Sequence, residues 1–312
     1  MISQDQLFHE KYILILIHIN IDAINFLEKS MESNSLQDLK DKVCILTGGC
    51  GVFGGIFSVA LINVGAKVAI LDYKKGRCEE CTAGIAKLSG SQVLCVVANV
   101  LDKKSLIEAK KQINSKFGKV DILINGAGGN AATATTKEEF ITDDNVKDLS
   151  KTFFGLDLEG FRNVFDLNFL GTVLPSMVFA EDMLQRGGSI INISSMNSYR
   201  PLTKIPAYSA AKSSVNNFTQ WLAVHFAKVN VRVNAIAPGF FLTNQNRFLL
   251  TDEKTGELTA RGHKILSGTP MGRFGEPEEL IGTLLYLISD ASKFVTGIVI
   301  PVDGGFSAYS GV

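Results

Sequence analysis

The sequence has little of what metal centres, disulfide frameworks or nucleic-acid interfaces need. Its 312 residues include only four histidines, which are scattered, and five cysteines, an odd number that falls entirely in the first third of the chain. This distribution predicts reduced thiols in a cytoplasmic protein. The single C-x-x-C, Cys78 to Cys81, has no second pair, so no metal site is predicted. Lys+Arg and Asp+Glu both number 31, so no basic field points to a nucleic-acid partner.

Long apolar runs are also absent. The run from Tyr12 to Ile19 is far shorter than the ~20 residues that a membrane span needs, and the acidic residues before it make it a poor signal peptide. We therefore expect residues 1–40 to be an N-terminal extension, either an added amphipathic segment or an overlong start with the working chain beginning near Met31. Peripheral membrane attachment through residues 1–30 is the alternative, and fractionation of a truncated chain tests it.

Seven apolar segments alternate with helical stretches from Asp41 onward. They are residues 43–46, 67–71, 92–98, 120–125, 189–193, 231–236 and 297–302. Near-continuous apolar strands that alternate with helices are typical of a parallel sheet covered on both faces. No repeat, proline-rich linker or composition break follows residue 41. The sequence therefore predicts an α/β fold, a single Rossmann-like domain over residues 41–312 with a doubly wound parallel sheet of about seven strands.

A glycine loop joins the first predicted strand to a helix. Gly49, Gly51 and Gly54 form an intact G-x-G-x-x-G in the strand–loop–helix context that dinucleotide binding requires, although a glycine-rich packing turn is the alternative. The helix N-terminus would face the phosphates with unpaired N–H groups. Asp72 ends the second predicted strand, where a carboxylate binds ribose hydroxyls and repels a 2′-phosphate. This predicts NAD(H) over NADP(H), a preference that Lys74 and Lys75 could soften.

Tyr208 and Lys212 stand four residues apart, one turn along a helix. A free phenol has a pKa of about 10, which is too high for a base near neutral pH. A neighbouring ammonium favours the phenolate, and a shift of roughly three units corresponds to about 4 kcal/mol. The pair could then move a proton to or from a substrate oxygen. Alone, the Y-x-x-x-K pattern is weak, because both residues are common on surface helices.

Further motifs strengthen that pattern. Ser195 follows the fifth predicted strand, Asn168 lies in a helical stretch, and the segments 125–128 and 238–243 end the fourth and sixth strands. With these motifs in this order, the chain resembles a short-chain dehydrogenase/reductase from about residue 41 to the C-terminus. The resemblance implies that Tyr208 is the general acid/base, that Lys212 lowers its pKa and binds the nicotinamide ribose, that Ser195 holds the substrate oxygen, and that Asn168 positions a water in a proton relay.

The resemblance also implies which residues bind NAD(H). Besides Tyr208 and Lys212, they are Gly48, Gly49, Gly51, Val52, Phe53, Gly54, Asp72, Tyr73, Asn99, Val100, Asn125, Ala127, Gly128, Pro238, Gly239, Phe241 and Thr243. Two positions depart from the family pattern. Val52 stands where a glycine is usual, so the loop path is expected to differ slightly. Asn99 replaces the usual acid, and its amide is expected to bind adenine instead.

The substrate side carries an insertion and several polar groups. Between Asn125 and Asn168 the chain exceeds the family's usual length by roughly fifteen to twenty residues, and long insertions in compact domains are usually functional lids or disordered segments. This one is expected to border the substrate mouth. The nearby candidate substrate residues are Asn197, Arg200, Asn244 and Arg247. Amides and arginines suit the hydroxyls and carboxylate of a polyhydroxy acid, although these residues could equally be ordinary surface groups.

Residues 48–55, the insertion and residues 300–312 most resemble bacterial short-chain enzymes assigned as D-mannonate oxidoreductases (fructuronate reductases). That resemblance implies an NAD(H)-dependent enzyme that interconverts a secondary alcohol and a ketone on a sugar acid, assembled as a homo-tetramer or homo-dimer. An enzyme for another polyol or keto acid is one alternative. A dinucleotide-binding sensor without turnover is another, and a Tyr208→Phe variant separates it from an enzyme.

Overall fold

The structure, a computed structural model, describes residues 36–89, 93–243, 247–252 and 255–311. Within them, seven strands form one sheet in the order β3-β2-β1-β4-β5-β6-β7, and every neighbouring pair is parallel. The strands are β1 (Val43–Thr47), β2 (Lys67–Asp72), β3 (Leu94–Val97), β4 (Ile122–Asn125), β5 (Gly188–Ile193), β6 (Val231–Pro238) and β7 (Val299–Val302). The predicted parallel sheet is confirmed, with strand ends a residue or two away from their predicted positions.

Helices cover both faces of the sheet, as the alternating pattern predicted. They are α1 (Val52–Asn63), α2 (Lys75–Ser89), α3 (Lys103–Phe117), α4 (Leu158–Asn168), α5 (Leu170–Phe179), α6 (Pro206–Phe226), α7 (Arg247–Leu250), α8 (Ala260–Ser267) and α9 (Ile281–Ile288). One core joins the sheet to α1 and α9 through Phe57 and Leu284. The other joins it to α3 and α5 through Ile113 and Phe179. The carboxyl ends of the strands therefore share one edge, where ligands bind in such sheets.

The N-terminal extension is described only at its end. Residues 1–35, which carry the apolar run, lie outside the described residues. Gln37–Leu39 forms a 3₁₀ turn, and Leu39 is buried in the core beside the sheet. The packed unit therefore includes residues that precede the predicted boundary at 41.

One helical stretch within the described residues is long and apolar enough to cross a membrane. It is Leu158–Asp182, which comprises α4, α5 and one further turn, and half of its most apolar window is buried inside the protein. The stretch packs against α3 and α6. Because of these contacts, the stretch is a packed helix in the layer that covers one face of the sheet, rather than a membrane span.

The insertion between β4 and α4 is folded as turns. It contains three 3₁₀ turns at Ala132–Ala134, Leu149–Lys151 and Phe153–Gly155. The amide of Thr136 donates to the carbonyl of Lys204 at 2.9 Å, and Lys204 Nζ donates to the carbonyl of Lys137 at 2.7 Å. The insertion thus lies against the segment that leads into α6.

The cysteines differ from the expectation of reduced thiols throughout. Cys78 on α2 and Cys95 on β3 are joined by a disulfide, and their α-carbons are 5.6 Å apart. Cys44, Cys50 and Cys81 have free thiols. The pairing was not evident in the sequence because the return of the chain from α2 to the edge strand brings the two residues together.

Candidate active site

The glycine loop brings the start of α1 close to the end of β1. Gly48 has φ +64°, and a Cβ there would lie 2.8 Å from the α-carbon of Ala127. A Cβ on Gly54 would lie 2.5 Å from the α-carbon of Gly49. Gly51 is the N-cap of α1, and no side chain among the described residues caps this end. Its N–H groups and the positive end of the helix dipole are therefore available to an anion such as a pyrophosphate.

A cavity of about 810 Å³ opens above the glycine loop at the carboxyl edge of the sheet, within the range of small-molecule sites. Most predicted cofactor residues line it: Gly48, Gly51, Val52, Phe53, Gly54, Asp72, Tyr73, Asn99, Val100, Ala127, Gly128, Gly239, Phe241 and Thr243. The uncapped helix, the space that only glycines leave open and a carboxylate at one end together fit a dinucleotide.

Apart from Tyr208 and Lys212, three predicted cofactor residues do not line this cavity. Asn125 is buried, and its Nδ2 donates to Ser176 Oγ at 3.0 Å and to Asn192 Oδ1 at 2.9 Å. It therefore ties β4 to its neighbours instead of lining the cavity. Gly49 packs beneath the loop, where a Cβ would lie 2.5 Å from Ile70. Pro238 ends β6 in register with the last residue of β7.

The carboxylate at the end of β2 has a cationic neighbour that the sequence reasoning missed. Asp72 is buried, and its Oδ1 accepts the Tyr73 N–H at 2.9 Å. Arg77 Nη1 lies 3.9 Å from that oxygen, and Arg77 Nη2 donates to the carbonyl of Cys50 at 3.0 Å. Arg77 also lines the cavity. In the sequence, the one indication of a cation beside Asp72 was that Arg77 stands in a basic stretch just after the strand.

Five other residues that line the cavity were not predicted from the sequence, because they have no polar side chain. They are Leu71, Ala98, Gly126, Leu167 and Phe240. Asn99, expected to bind adenine, has Oδ1 bonded to the amide of Leu101 at 3.0 Å. This contact holds the Asn99 side chain in a turn at the end of β3.

Ser195, Tyr208 and Lys212 meet beside the Gly128 end of the cavity. The Ser195 hydroxyl and the Tyr208 phenol form a hydrogen bond. One turn further along α6, Lys212 Nζ lies 5.6 Å from the centre of the Tyr208 ring and donates to the carbonyl of Ile193 at 2.7 Å. A Cβ on Gly128 would lie 3.3 Å from that Nζ, so the cluster borders the cavity directly.

Asn168, the last residue of α4, is fully buried behind the same glycines. Its Nδ2 donates to the carbonyls of Gly129 and Val164, both at 2.7 Å, and its Oδ1 accepts the Gly129 N–H at 3.2 Å. Its main-chain carbonyl accepts the Thr172 hydroxyl at 2.9 Å. The side chain therefore fixes the backbone after β4.

Burial dominates the protonation of the Tyr208–Lys212 pair. Desolvation raises the pKa of Tyr208, and the hydrogen bond from Ser195 opposes that rise. Desolvation also lowers the pKa of Lys212 to about 8. In the chain alone, burial therefore opposes the predicted lowering of the phenol's pKa, because in a dry cleft both groups favour their neutral forms.

The insertion forms the wall behind the phenol. Ala134, Val164 and Ala207 make a small buried cluster, and Tyr208 packs against it. Glu139 of the insertion also forms an ion pair with Lys264 of α8. The insertion thus packs against the Tyr208 side of the site.

The predicted substrate residues are only partly assembled. Asn197 is buried next to Ser195, and its Oδ1 has no hydrogen-bond partner within the described ranges. Arg200 is exposed and donates to the carbonyl of Tyr309 at 2.6 Å. Arg247 begins α7 and is exposed. Asn244 lies outside the described residues.

Substitution of Lys212 by Met is expected to change how stability depends on pH. The native pKa of Lys212 is about 8, against 10.5 for an ordinary lysine. Between these values the unfolded chain binds more protons, so the wild type gains stability as pH rises through the window. The gain is at most about 3 kcal/mol, and Lys212→Met should lack it. Urea denaturation at pH 7, 8, 9 and 10 measures the difference.

Lys228→Met is the matched control for that experiment, because Lys228 is an exposed lysine just beyond α6. Its stability profile should follow the wild type. Parallel profiles for wild type and Lys212→Met from pH 8 to pH 10 would contradict the buried, destabilised ammonium.

Comparison with known proteins agrees with this geometry. Residues 56–307 match the family model described as enoyl-(acyl carrier protein) reductase. An uncharacterized oxidoreductase of Haemophilus influenzae is 50% identical over 288 residues, which cover 92% of this chain and 100% of the relative. A 2-dehydro-3-deoxy-D-gluconate 5-dehydrogenase of Dickeya dadantii is 32% identical over 275 residues, covering 87% of this chain and 97% of the relative.

A solved structure from Haemophilus influenza superposes with a TM-score of 0.83 at 51% identity, covering 88% of this chain and 98% of that one. It is provisionally assigned as a D-mannonate oxidoreductase and contains bound NAD. NAD is therefore present in a solved structure that is similar to this chain over 88% of its length.

Proposed function

Because this chain belongs to the short-chain dehydrogenase/reductase family, whose members are oxidoreductases, we propose that it interconverts a secondary alcohol and a ketone on a sugar acid, with D-mannonate and D-fructuronate as the first pair to test. The observation that carries the proposal is the hydrogen-bonded Ser195–Tyr208 pair beside a dinucleotide-sized cavity. The bound nicotinamide supplies the carbon that accepts or donates the hydride.

Four side chains of the protein would carry out proton transfer, substrate binding, cofactor binding and support of the backbone. Tyr208 takes the proton from the substrate hydroxyl during oxidation and returns it to the ketone oxygen during reduction. Ser195 donates a hydrogen bond to the same oxygen and holds it near the phenol. Lys212 would hold the nicotinamide ribose, and in its protonated form it favours the phenolate that oxidation needs. Asn168 keeps the backbone of Gly128 and Gly129 in place against Lys212.

A sugar-acid substrate is supported by the groups around the mouth and by the relatives. Arg200 has five N–H donors in a planar fork that suits a carboxylate, and one of them meets the carbonyl of Tyr309. The buried Oδ1 of Asn197 has no hydrogen-bond partner among the described residues, and a substrate hydroxyl would supply one. Two of the compared proteins carry sugar-acid assignments.

A spectrophotometric screen of NADH oxidation tests this proposal, with D-fructuronate compared with other uronates, keto acids and simple ketones. We expect kcat/KM for D-fructuronate to exceed that for a neutral ketone by at least about tenfold, the worth of one charge-assisted contact. Preferential turnover of a neutral ketone or polyol would transfer the assignment to that substrate class. NADH binding without turnover of any substrate would favour a sensor.

We further propose that Asp72 makes the enzyme prefer NAD(H). Substitution of Asp72 by Ala should lower the ratio of kcat/KM with NAD to kcat/KM with NADP by about tenfold or more, because it removes ribose contacts and the repulsion of a 2′-phosphate. Arg77 would then be the nearest charged group and would favour the phosphate. Glu80→Ala, which removes an exposed carboxylate from α2, should leave the ratio unchanged. An unaltered ratio in Asp72→Ala would refute the role.

We also propose that the protein assembles as a homo-tetramer or homo-dimer in the cytoplasm. Large apolar side chains are exposed on the outer layer of helices, among them Met177 on α5 and Trp221 and Val224 on α6. Exposed apolar patches of this kind mark contact surfaces in soluble proteins. Light scattering coupled to gel filtration measures the assembly, and a monomer at micromolar concentration would contradict it.

A further inference from the structure

Asn216 is a half-buried residue of α6 that the mechanism above does not use. It stands four residues after Lys212 and eight after Tyr208. Residues at this spacing lie one above the other on a single face of a helix. The face of α6 that carries the phenol and the ammonium therefore continues into an amide one turn further along.

The amide of Asn216 makes hydrogen bonds on both sides of Ser195. Ser194 Oγ donates to Asn216 Oδ1 at 2.5 Å, and Asn216 Nδ2 donates to Ser198 Oγ at 2.7 Å. Ser198 Oγ in turn donates to the main-chain carbonyl of Ser195 at 2.6 Å. One side chain of α6 thus connects the residue before Ser195 with the turn that follows it.

The directions of these hydrogen bonds require an amide at position 216. A serine hydroxyl has one hydrogen to donate, and Ser198 gives it to the Ser195 carbonyl. Ser198 can therefore only accept from position 216, while the hydroxyl of Ser194 needs an acceptor there. Asparagine supplies a donor and an acceptor on one short side chain, whereas a carboxylate, a hydrocarbon or an ammonium lacks one of the two.

The turn held in this way presents the groups that face the substrate. Ser195 is the N-cap of the 3₁₀ turn Met196–Ser198, and its Oγ accepts the N–H of Asn197 at 3.2 Å. The same hydroxyl meets the Tyr208 phenol. Because Tyr208 and Asn216 belong to one helix, the amide fixes where the serine hydroxyl stands relative to the phenol. A displacement of about 1 Å between such groups can cost roughly 10²-fold in rate.

We propose that Asn216 is a positioning residue of this active site, which ties the Ser195 turn to the helix that carries Tyr208 so that both hydroxyls reach the same substrate oxygen. This role rests on the proposed oxidoreductase function and on the part that Ser195 plays in it, but not on the identity of the substrate. Asn216 does not line the dinucleotide cavity, so NADH binding should not depend on it.

A double-mutant cycle between Asn216 and Ser195 tests this role. Asn216→Ala should lower kcat/KM for the substrate by about tenfold, the equivalent of one hydrogen bond, and NADH affinity should stay within about twofold. In a Ser195→Ala background the same substitution should cause no further loss, because the group that Asn216 positions is gone. The kinetics use the substrate with the highest turnover in the screen described above.

The pH dependence of alcohol oxidation gives a readout that a loss of stability alone would not move. The hydrogen bond from Ser195 opposes the rise in the pKa of Tyr208, so a loosened serine should let that pKa rise further. The pH profile of kcat in Asn216→Ala should therefore move to higher pH. Ser198→Ala removes the same link at its other end and should reproduce both effects. Asn217→Ala, at the exposed neighbouring asparagine, is the matched control and should resemble the wild type.

Three results would overturn the positioning role alone: wild-type kcat/KM in both Asn216→Ala and Ser198→Ala, an equal further loss when Asn216→Ala is added to Ser195→Ala, or an unmoved pH profile. Turnover of another substrate class in place of sugar acids leaves the cycle unchanged. Wild-type activity in Ser195→Ala, or no turnover of any substrate, would overturn the proposed mechanism together with the role of Asn216.

Discussion

Tyr208→Phe is expected to lower kcat by about 10²- to 10⁴-fold, the range for removal of a general acid/base, while NADH affinity stays within about twofold, because the substitution is confined to the substrate side. Phenylalanine keeps the ring that packs on Ala134 and Ala207 and removes only the hydroxyl that meets Ser195. Steady-state kinetics with D-fructuronate and a fluorescence titration of NADH measure the two quantities separately.

Tyr199→Phe is the matched control, because its hydroxyl donates to the carbonyl of Val299 at an exposed position. It should keep wild-type kcat. If Tyr208→Phe retained more than about a tenth of the wild-type kcat, the phenol would supply less than a general acid/base does, and the proposed mechanism would be wrong.

Gly54→Ala is expected to weaken NADH binding by about 10- to 100-fold and to lower Tm by roughly 5 °C, because overpacking at a close backbone contact costs about 1–3 kcal/mol. The added Cβ would lie 2.5 Å from the α-carbon of Gly49. The three nearest atoms all belong to the main chain of Gly49, so no side chain can rotate away, and the loop must open. Fluorescence titration and thermal unfolding measure the two effects.

Gly55→Ala offers a control one residue further along α1. A Cβ at Gly55 meets nothing within 4 Å, and alanine in a helix is favoured over glycine by roughly 0.5–1 kcal/mol. Its Tm should rise slightly and its NADH affinity should not change. Equal NADH affinities in the two variants would show that the tight approach at Gly54 is not needed for binding.

The sheet and the dinucleotide loop were predictable from sequence because their signals are local. A buried parallel strand such as Val43–Thr47 is buried at every position and apolar at the first four, and the glycine spacing records close approaches within one turn of chain. The carboxyl ends of parallel strands meet at one edge, so Asp72 and Ser195 could be placed near a ligand before the fold was known.

The remaining features depend on contacts between distant segments. Cys78 and Cys95 meet only after β3 pairs with β2. The direction of the Tyr208 pKa depends on how much water the surrounding chain excludes, which a motif does not encode. Asn125 was expected to contact the cofactor and Asn168 to position a water. Their side chains make hydrogen bonds that hold the sheet and the backbone after β4, and a motif does not encode such support.

The packing of the insertion on Tyr208 bears on any attempt to redesign this enzyme. A segment that rims the substrate mouth invites transplantation between relatives as a way to alter selectivity. Here the same segment supplies Ala134, a member of the buried cluster against which Tyr208 packs. A chimaera that exchanges residues 130–157 would therefore inherit a different acidity at its proton-transfer group along with a different substrate, and its pH optimum would have to be measured anew.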